Sequence, residues 1–143
     1  GNLRSRWTEF LTTDGEKPDR LRDTEFISET DTRESLTALW ETGWDALCST
    51  LESLRPSDIE KIVKIRGEDH SVIKAINRSL AHTASHVGQI VFLAKHLRSK
   101  DWQTLSMPRN QSVDFNAYMN KKEGSTAVDP LELHTSFRKD NEN

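Results

Sequence analysis

The strongest constraint on the fold is the stretch from Ser71 to Leu97, SVIKAINRSLAHTASHVGQIVFLAKHL, whose pattern predicts one uninterrupted amphipathic helix. Its apolar residues recur at spacings of three and four, so they form one stripe wide enough to pack into a core. The hydroxyl of Ser71 can accept a hydrogen bond from the first helical turn, which makes Ser71 the expected N-cap. The stripe comprises Ile73, Ile76, Leu80, Val87, Ile90, Val91 and Ala94.

Two histidines, His82 and His86, lie four residues apart on this predicted helix. At about 100° per residue, both side chains project from one face beside the apolar stripe. Neutral imidazole is the commonest protein ligand for divalent transition metals, so one ion could bind both histidines. The same pattern fits a structural histidine pair. Thr83 stands where an HExxH metalloprotease carries its glutamate base, which excludes that enzyme class.

The other three histidines do not complete a metal site within this helix. His96 lies about 15 Å along the helix axis from His86, and His70 lies about three turns before His82. We expect His96 to complement the dipole in the last helical turn and His70 to form a hydrogen bond in a loop. His134 belongs to the C-terminal tail. The sequence therefore supplies two metal ligands, His82 and His86, without a convincing third.

The length and composition predict one soluble domain. The chain has 143 residues, and its net charge of −3 without a basic stripe argues against a nucleic-acid partner. No apolar run approaches the ~20 residues of a membrane span, and no signal peptide opens the chain, so we expect no membrane contact. The single cysteine, Cys48, excludes an internal disulfide and fits a reducing cytoplasm. Its apolar helical surroundings predict a small buried thiol.

The sequence before this long helix predicts two further helices. Residues 2–12 carry a helical pattern, and residues 14–26 predict a charged surface loop with little regular structure. A capping signal at Asp31 or Thr32 begins a second long helix, which ends near Leu54. Gly43 inside that helix indicates either a close neighbouring helix or simple tolerance.

The remaining segments are short. Residues 62–65 predict a brief extended piece, and residues 113–122 a short helix capped by Ser112. We expect residues 123–143 to form a tail that is mobile or depends on a partner. Arg66 and Glu68 are expected to form a structural ion pair, and Arg109 to lie on the solvated surface.

Three motifs in order carry a resemblance to a known superfamily: GNLRSRWTEFLTTDGEKPDRLRDTEF, IRGEDHSVIKAINRSLAHTASHVGQIVFLAKHL and LSMPRNQSVDFN. Over residues 2–120 they resemble the DinB-like (DinB/YfiT) superfamily, in a branch of unknown function. The resemblance implies an all-α, up-down-down-up four-helix bundle spanning residues 1–122, often a homodimer.

The resemblance also implies a divalent metal, nickel or zinc, held by three histidines, two of which match His82 and His86. The superfamily's remaining histidine would lie about one turn before Asn2, and its first helix would precede that. We therefore expect this chain to lack both. The missing helix would leave an apolar groove, which we expect a second copy of the chain to fill.

Relatives in the superfamily include metal-dependent transferases and isomerases that use low-molecular-weight thiols. The resemblance thus implies a thiol transferase or hydrolase in which the metal lowers the pKa of a bound thiol or water. Ser79, Thr83 and Gln89 would line its pocket, and no general base is identifiable. The alternative is a non-enzymatic, stress-associated or protein-interaction bundle with vestigial histidines.

Overall fold

The computed structural model describes residues 1–27, 29–105 and 110–121. These residues form four α-helices, three short 3₁₀ segments and one two-stranded sheet. In chain order the elements are α1 (Asn2–Trp7), a 3₁₀ turn (Arg22–Phe26), α2 (Arg33–Ser53), a 3₁₀ turn (Pro56–Asp58), β1 (Ile62–Ile65), β2 (Glu68–Ser71), α3 (Val72–Arg98), a 3₁₀ turn (Ser99–Asp101) and α4 (Ser112–Lys121). The all-α prediction is therefore confirmed only as a mostly helical fold, and the four-helix bundle stays a prediction.

The chain divides into two units, Gly1–Val87 (unit 1) and Gly88–Asn143 (unit 2), with the boundary inside α3. Among the described residues, none of the helices combines the length and the apolar surface that crossing a membrane requires.

Both long helices begin at the predicted hydroxyl caps. The Ser71 Oγ accepts a hydrogen bond from the Lys74 backbone N–H at 3.3 Å, which confirms Ser71 as the cap of α3. At the start of α2, the Ser35 N–H donates to Thr32 Oγ1 at 3.1 Å, and the Thr32 N–H donates to Ser35 Oγ at 2.9 Å. Thr32 rather than Asp31 is therefore the cap, and Ser35 closes the capping box.

Helix α1 is shorter than the pattern of residues 2–12 predicts. It ends at Trp7, and Thr8 is already extended, with φ of −67° and ψ of 129°. Glu9 then adopts a positive φ of 49°. This break brings the Phe10 ring to 4.7 Å from the Trp7 ring, so that both side chains are buried together. Tertiary packing of the two aromatic rings thus overrides the local helical pattern.

A two-residue turn joins β1 and β2 into a hairpin that the sequence did not predict. The extended piece at residues 62–65 is confirmed as β1, and Ile65 pairs with Glu68 across the turn. The turn residues, Arg66 and Gly67, have φ of 56° and 77°, the signs that a type I′ turn requires. The Asp14 carboxylate accepts their backbone N–H groups at 2.8 and 2.7 Å.

The core of unit 1 forms where the N-terminal segment meets the hairpin and the first turns of α3. Its buried apolar residues are Trp7, Phe10, Val63, Ile65, Val72 and Ala75. Hydrogen bonds to Ser5 of α1 anchor the segment after Phe10. The Ser5 Oγ donates to the Gly15 carbonyl at 3.0 Å and accepts from the Lys17 N–H at 3.1 Å. Within residues 14–26 the 3₁₀ turn Arg22–Phe26 is the one regular element, which agrees with the expectation of a loop with little regular structure.

Helix α2 contacts the rest of unit 1 along one edge and contains no buried residue. The Thr50 Oγ1 donates to the Trp7 carbonyl at 2.7 Å, and a side chain at Gly43 would lie 3.5 Å from Leu3 of α1. Gly43 thus marks a close neighbouring helix. Cys48 is exposed, so the prediction of a buried thiol is wrong. An apolar stripe predicts burial only where a second element covers it.

Unit 2 begins with the second half of α3 and contains α4. His96 lies in the last turn of α3, as predicted. The short helix predicted at residues 113–122 is confirmed as Ser112–Lys121, and the Phe115 N–H donates to the Gln111 carbonyl at 2.9 Å in its first turn. The predicted tail, residues 123–143, lies outside the described residues, as do Arg109 and His134.

Candidate functional site

The two predicted metal ligands lie side by side on α3. The ring centroids of His82 and His86 are 4.5 Å apart, and the rings meet edge to face. Both side chains are exposed rather than enclosed by the core. The i, i+4 spacing therefore places the two imidazoles next to each other on one face of α3, as the sequence predicts.

A cavity of about 660 Å³ lies next to this pair, entirely within unit 1. Its walls come from α1, the segment that follows it, the β1–β2 hairpin and α3. His82 and His86 both line it, together with the predicted pocket residue Ser79 and the small residue Ala75. Thr83 and Gln89 are not among the described residues of its wall.

Cationic side chains dominate the wall of the cavity. Six line it: Arg6, Arg20, Arg22, Lys64, Arg66 and Arg78. One carboxylate, Glu16, binds three of them, with N···O distances of 3.0 Å to Arg6, 3.3 Å to Arg20 and 3.2 Å to Arg66. Burial alone would raise the pKa of Glu16, but its hydrogen bond from Arg66 and the nearby guanidinium charges lower it overall.

The ion pair that Arg66 forms differs from the predicted one. Arg66 binds Glu16 through its Nε, so the expected Arg66–Glu68 pair is wrong. Arg20 binds Glu25 through two parallel hydrogen bonds of 2.8 Å. This hydrogen bonding with Glu25 is the main reason why the pKa of Arg20 is raised. The hairpin turn carries Arg66 back over the N-terminal segment, a contact between residues fifty apart that local spacing does not reveal.

The surroundings of His82 lower the pKa of its imidazole. Partial burial lowers its pKa first, and the neighbouring His86 and the charges of Arg6, Arg78 and Arg20 lower it further. A lowered pKa keeps this imidazole neutral near pH 7, and the neutral form is the one that binds metals.

The described residues supply no third ligand beside the pair. Across residues 1–27, 29–105 and 110–121, no group of three His, Cys, Asp or Glu side chains is placed to hold a metal ion. His70 is buried in β2, where its Nδ1 lies 3.2 Å from the Glu68 carbonyl oxygen. It forms the predicted hydrogen bond, but in a strand rather than in a loop.

A protein-family model matches residues 1–111, more than three quarters of the chain; its description is "Protein of unknown function (DUF1572)". The chain belongs to the DUF1572 family. Comparison with curated proteins and with solved structures gives no match. The DUF1572 match includes α1, α2, the hairpin, α3 and every residue that lines the cavity. The candidate site therefore lies wholly within the family's own region.

Sequence reasoning missed the arginines of this DUF1572 site. Arg78 could have been found, because it precedes His82 by four residues and so lies on the same face of α3. Arg6 and Arg20 carry no such local signal, since tertiary contacts such as those of Ser5 and Glu16 place their helix and loop at the cavity.

Proposed function

We propose that this DUF1572 protein is a helix-bundle protein of the DinB-like superfamily that binds a divalent transition metal, nickel or zinc, through His82 and His86. The observation that carries the proposal is the ring geometry, with centroids 4.5 Å apart on one face of α3 beside a cavity of about 660 Å³. Two imidazoles on one helical face are a recurrent part of zinc sites. The lowered pKa of His82 favours the neutral, metal-binding form.

The donor set fits a metal site that is open at several positions. Imidazole suits zinc and nickel, and the described residues supply two such ligands without a third. The remaining positions would be taken by water, or by a ligand from a second copy or from outside the described residues. Such a metal would supply Lewis acidity that lowers the pKa of a bound thiol or water. On this basis we propose a metal-dependent thiol transferase or hydrolase.

Isothermal titration calorimetry with nickel and with zinc tests the metal site. The unaltered protein should bind at least one of the two ions at micromolar concentration or tighter, and His82→Ala and His86→Ala should each abolish the binding. His96→Ala is the matched control, because His96 lies on the same helix but in its last turn. Absence of binding to the unaltered chain, or equal loss in the His96 variant, would contradict the proposal.

A second candidate function is protein interaction through exposed apolar side chains. On α2, Leu36, Leu39 and Trp40 are 52%, 57% and 54% exposed, and no residue of this helix is buried. Ala46 and Leu47 of the same helix pack against the core, so the exposed part of its apolar stripe is the part that no described residue covers, and such a surface favours a partner. We propose a second copy of the chain as that partner, which would make the protein a homodimer.

Sedimentation velocity tests the proposed homodimer. At micromolar concentration the unaltered chain should sediment as a dimer, and Leu39→Glu should shift it to monomer by placing a charge in the apolar contact. Glu41→Lys is the control, because it changes a charge on an exposed polar position of α2. A stable monomer of the unaltered chain would rule this partner out.

A further inference from the structure

We propose that the cavity of unit 1 binds a small organic anion, whose carboxylate or phosphate group is held by Arg6 and Arg78 beside His82. The inference names the substrate class of the site described above and rests on the proposed function for the role of that site. Anion binding itself needs only the arginines, so it can be measured without a metal.

The first observation is an excess of positive charge around the cavity. Glu16 is shared by Arg6, Arg20 and Arg66, and a single carboxylate offers about four lone pairs whereas each guanidinium offers five N–H donors. Glu25 is taken by the two hydrogen bonds from Arg20. The carboxylates at the cavity therefore cannot satisfy the guanidinium groups that surround it.

Two other cations of the wall are already engaged. Lys64 is paired with Asp69 across the hairpin. The Arg22 guanidinium lies over the Phe26 ring, 5.2 Å from its centroid, and is 3.6 Å from Asp23. The excess charge is thus concentrated at Arg6 and its arginine neighbours rather than spread around the wall.

The second observation is a buried donor without an acceptor. Arg6 binds Glu16 through Nη2 at 3.0 Å, but its Nη1 is buried and has no hydrogen-bond partner among the described residues. The Nε1 of Trp7, another residue of the cavity wall, is in the same state. Buried donors are almost always paired in folded proteins, so two orphaned N–H groups at one cavity indicate an acceptor that binds there.

Gly15 shapes the space around this donor. A side chain at Gly15 would place its first carbon 3.2 Å from Arg6 Cδ and 3.4 Å from Arg6 Nη1. Because glycine has no such carbon, the guanidinium can lie against the backbone at the edge of the cavity. The burial of Arg6 lowers its pKa, against the opposing effect of Glu16, and a bound anion would offset this cost.

The third observation is the position of Arg78. It precedes His82 by four residues and His86 by eight, so the three side chains follow one another along one face of α3, and all three line the cavity. Arg78 has no ion pair among the described residues. Its positive charge helps to lower the pKa of both Arg6 and His82. An anion held by Arg78 and Arg6 would therefore lie next to the proposed metal ligands.

The volume of the cavity sets the size of the ligand. About 660 Å³ lies within the range of roughly 300–1,000 Å³ that small-molecule sites occupy. Arginine is the side chain best suited to planar recognition of carboxylate and phosphate. The site thus suits a small molecule that carries one of these groups rather than a polymer.

Isothermal titration calorimetry on metal-free protein tests the inference, after treatment with EDTA and removal of the chelator by desalting. Inorganic phosphate and succinate are the two probes, and saturable binding of either supports the site and identifies which group it prefers. Arg78→Gln should weaken that binding about tenfold, because it removes a charge-assisted hydrogen bond. Arg6→Lys, which keeps the charge but loses the forked donor, should weaken it severalfold.

Arg4→Gln is the matched control, since it removes the same charge from an exposed position of α1 outside the cavity. It should change the affinity less than about twofold. Circular dichroism spectra that match the unaltered protein confirm that each variant is folded. Absence of saturable binding for both probes, or equal losses in Arg4→Gln and Arg78→Gln, would overturn the inference. Either result leaves the metal titration, which is done without these anions, to be judged separately.

Discussion

Replacing Trp7 with alanine is expected to lower the free energy of unfolding by about 3–5 kcal/mol, the largest effect of any single substitution considered. Trp7 is only 2% exposed and packs on Phe10, with ring centroids 4.7 Å apart. It belongs to the same cluster as Val63 and Val72, so its removal opens a void between α1, the hairpin and α3. Urea denaturation followed by circular dichroism measures the change.

Two controls separate the loss of packing from other effects of the Trp7 substitution. Trp7→Phe keeps an aromatic ring and removes an N–H that has no partner among the described residues, so it should cost less than about 1.5 kcal/mol. Trp40→Ala removes an indole that is 54% exposed on α2 and should cost much less than Trp7→Ala. Equal losses for Trp7→Ala and Trp40→Ala would contradict this description of the core.

Replacing Asp14 with alanine is expected to lower the free energy of unfolding by about 3 kcal/mol at pH 7. Its carboxylate accepts three backbone N–H bonds, from Glu16 at 2.7 Å, Arg66 at 2.8 Å and Gly67 at 2.7 Å. Each bond to a charged acceptor should contribute about 1 kcal/mol, below the usual range because the turn is solvent-exposed. Arg66 and Gly67 both have positive φ, so the turn depends on this external support.

The contribution of Asp14 should disappear in acid. The Glu16 N–H bond lowers its pKa most, the N–H bonds of Gly67 and Arg66 lower it further, and partial burial opposes them. Because the folded pKa lies below the unfolded value of about 3.9, the stabilisation is fully present above that value and is lost as the pH falls through the folded pKa. Denaturation curves of Asp14→Ala and the unaltered protein should therefore converge below both values.

Asp19→Ala serves as the control for Asp14, because Asp19 is an exposed carboxylate in the same segment. It should change the free energy of unfolding by less than about 0.5 kcal/mol at any pH. If Asp14→Ala were equally mild at pH 7, the hydrogen bonds of this carboxylate would not be what holds the turn.

The helices could be predicted where the signal is local. The periodic apolar residues of α2 and α3 and the hydroxyl caps at Thr32 and Ser71 act within a few residues, and the structure confirms both helices and both caps. The pairing of His82 with His86 follows from the same 3.6-residue period. Predictions failed where burial depended on another segment, as for the exposed Cys48 and for the helix that ends at Trp7 instead of residue 12.

The cationic wall of the cavity could not be predicted, because its members come from distant parts of the chain. Arg6 lies on α1, Arg66 in the hairpin turn and Arg78 on α3, and Glu16 joins the first two. Their association depends on long-range hydrogen bonds, such as those from Arg66 and Gly67 to Asp14, for which the sequence has no periodic signal.

The sequence by itself determined the helical character of the chain, the caps of its long helices and the adjacent placement of two histidines, because each follows from contacts between near neighbours. Only the tertiary structure decided that these histidines border a cavity, that α1 stops early to bury Trp7 with Phe10, and that arginines from three segments gather beside His82. The physical reason is that packing and charge clustering depend on which distant segments meet, and the hydrogen bonds from the hairpin turn to Asp14 are one such long-range contact.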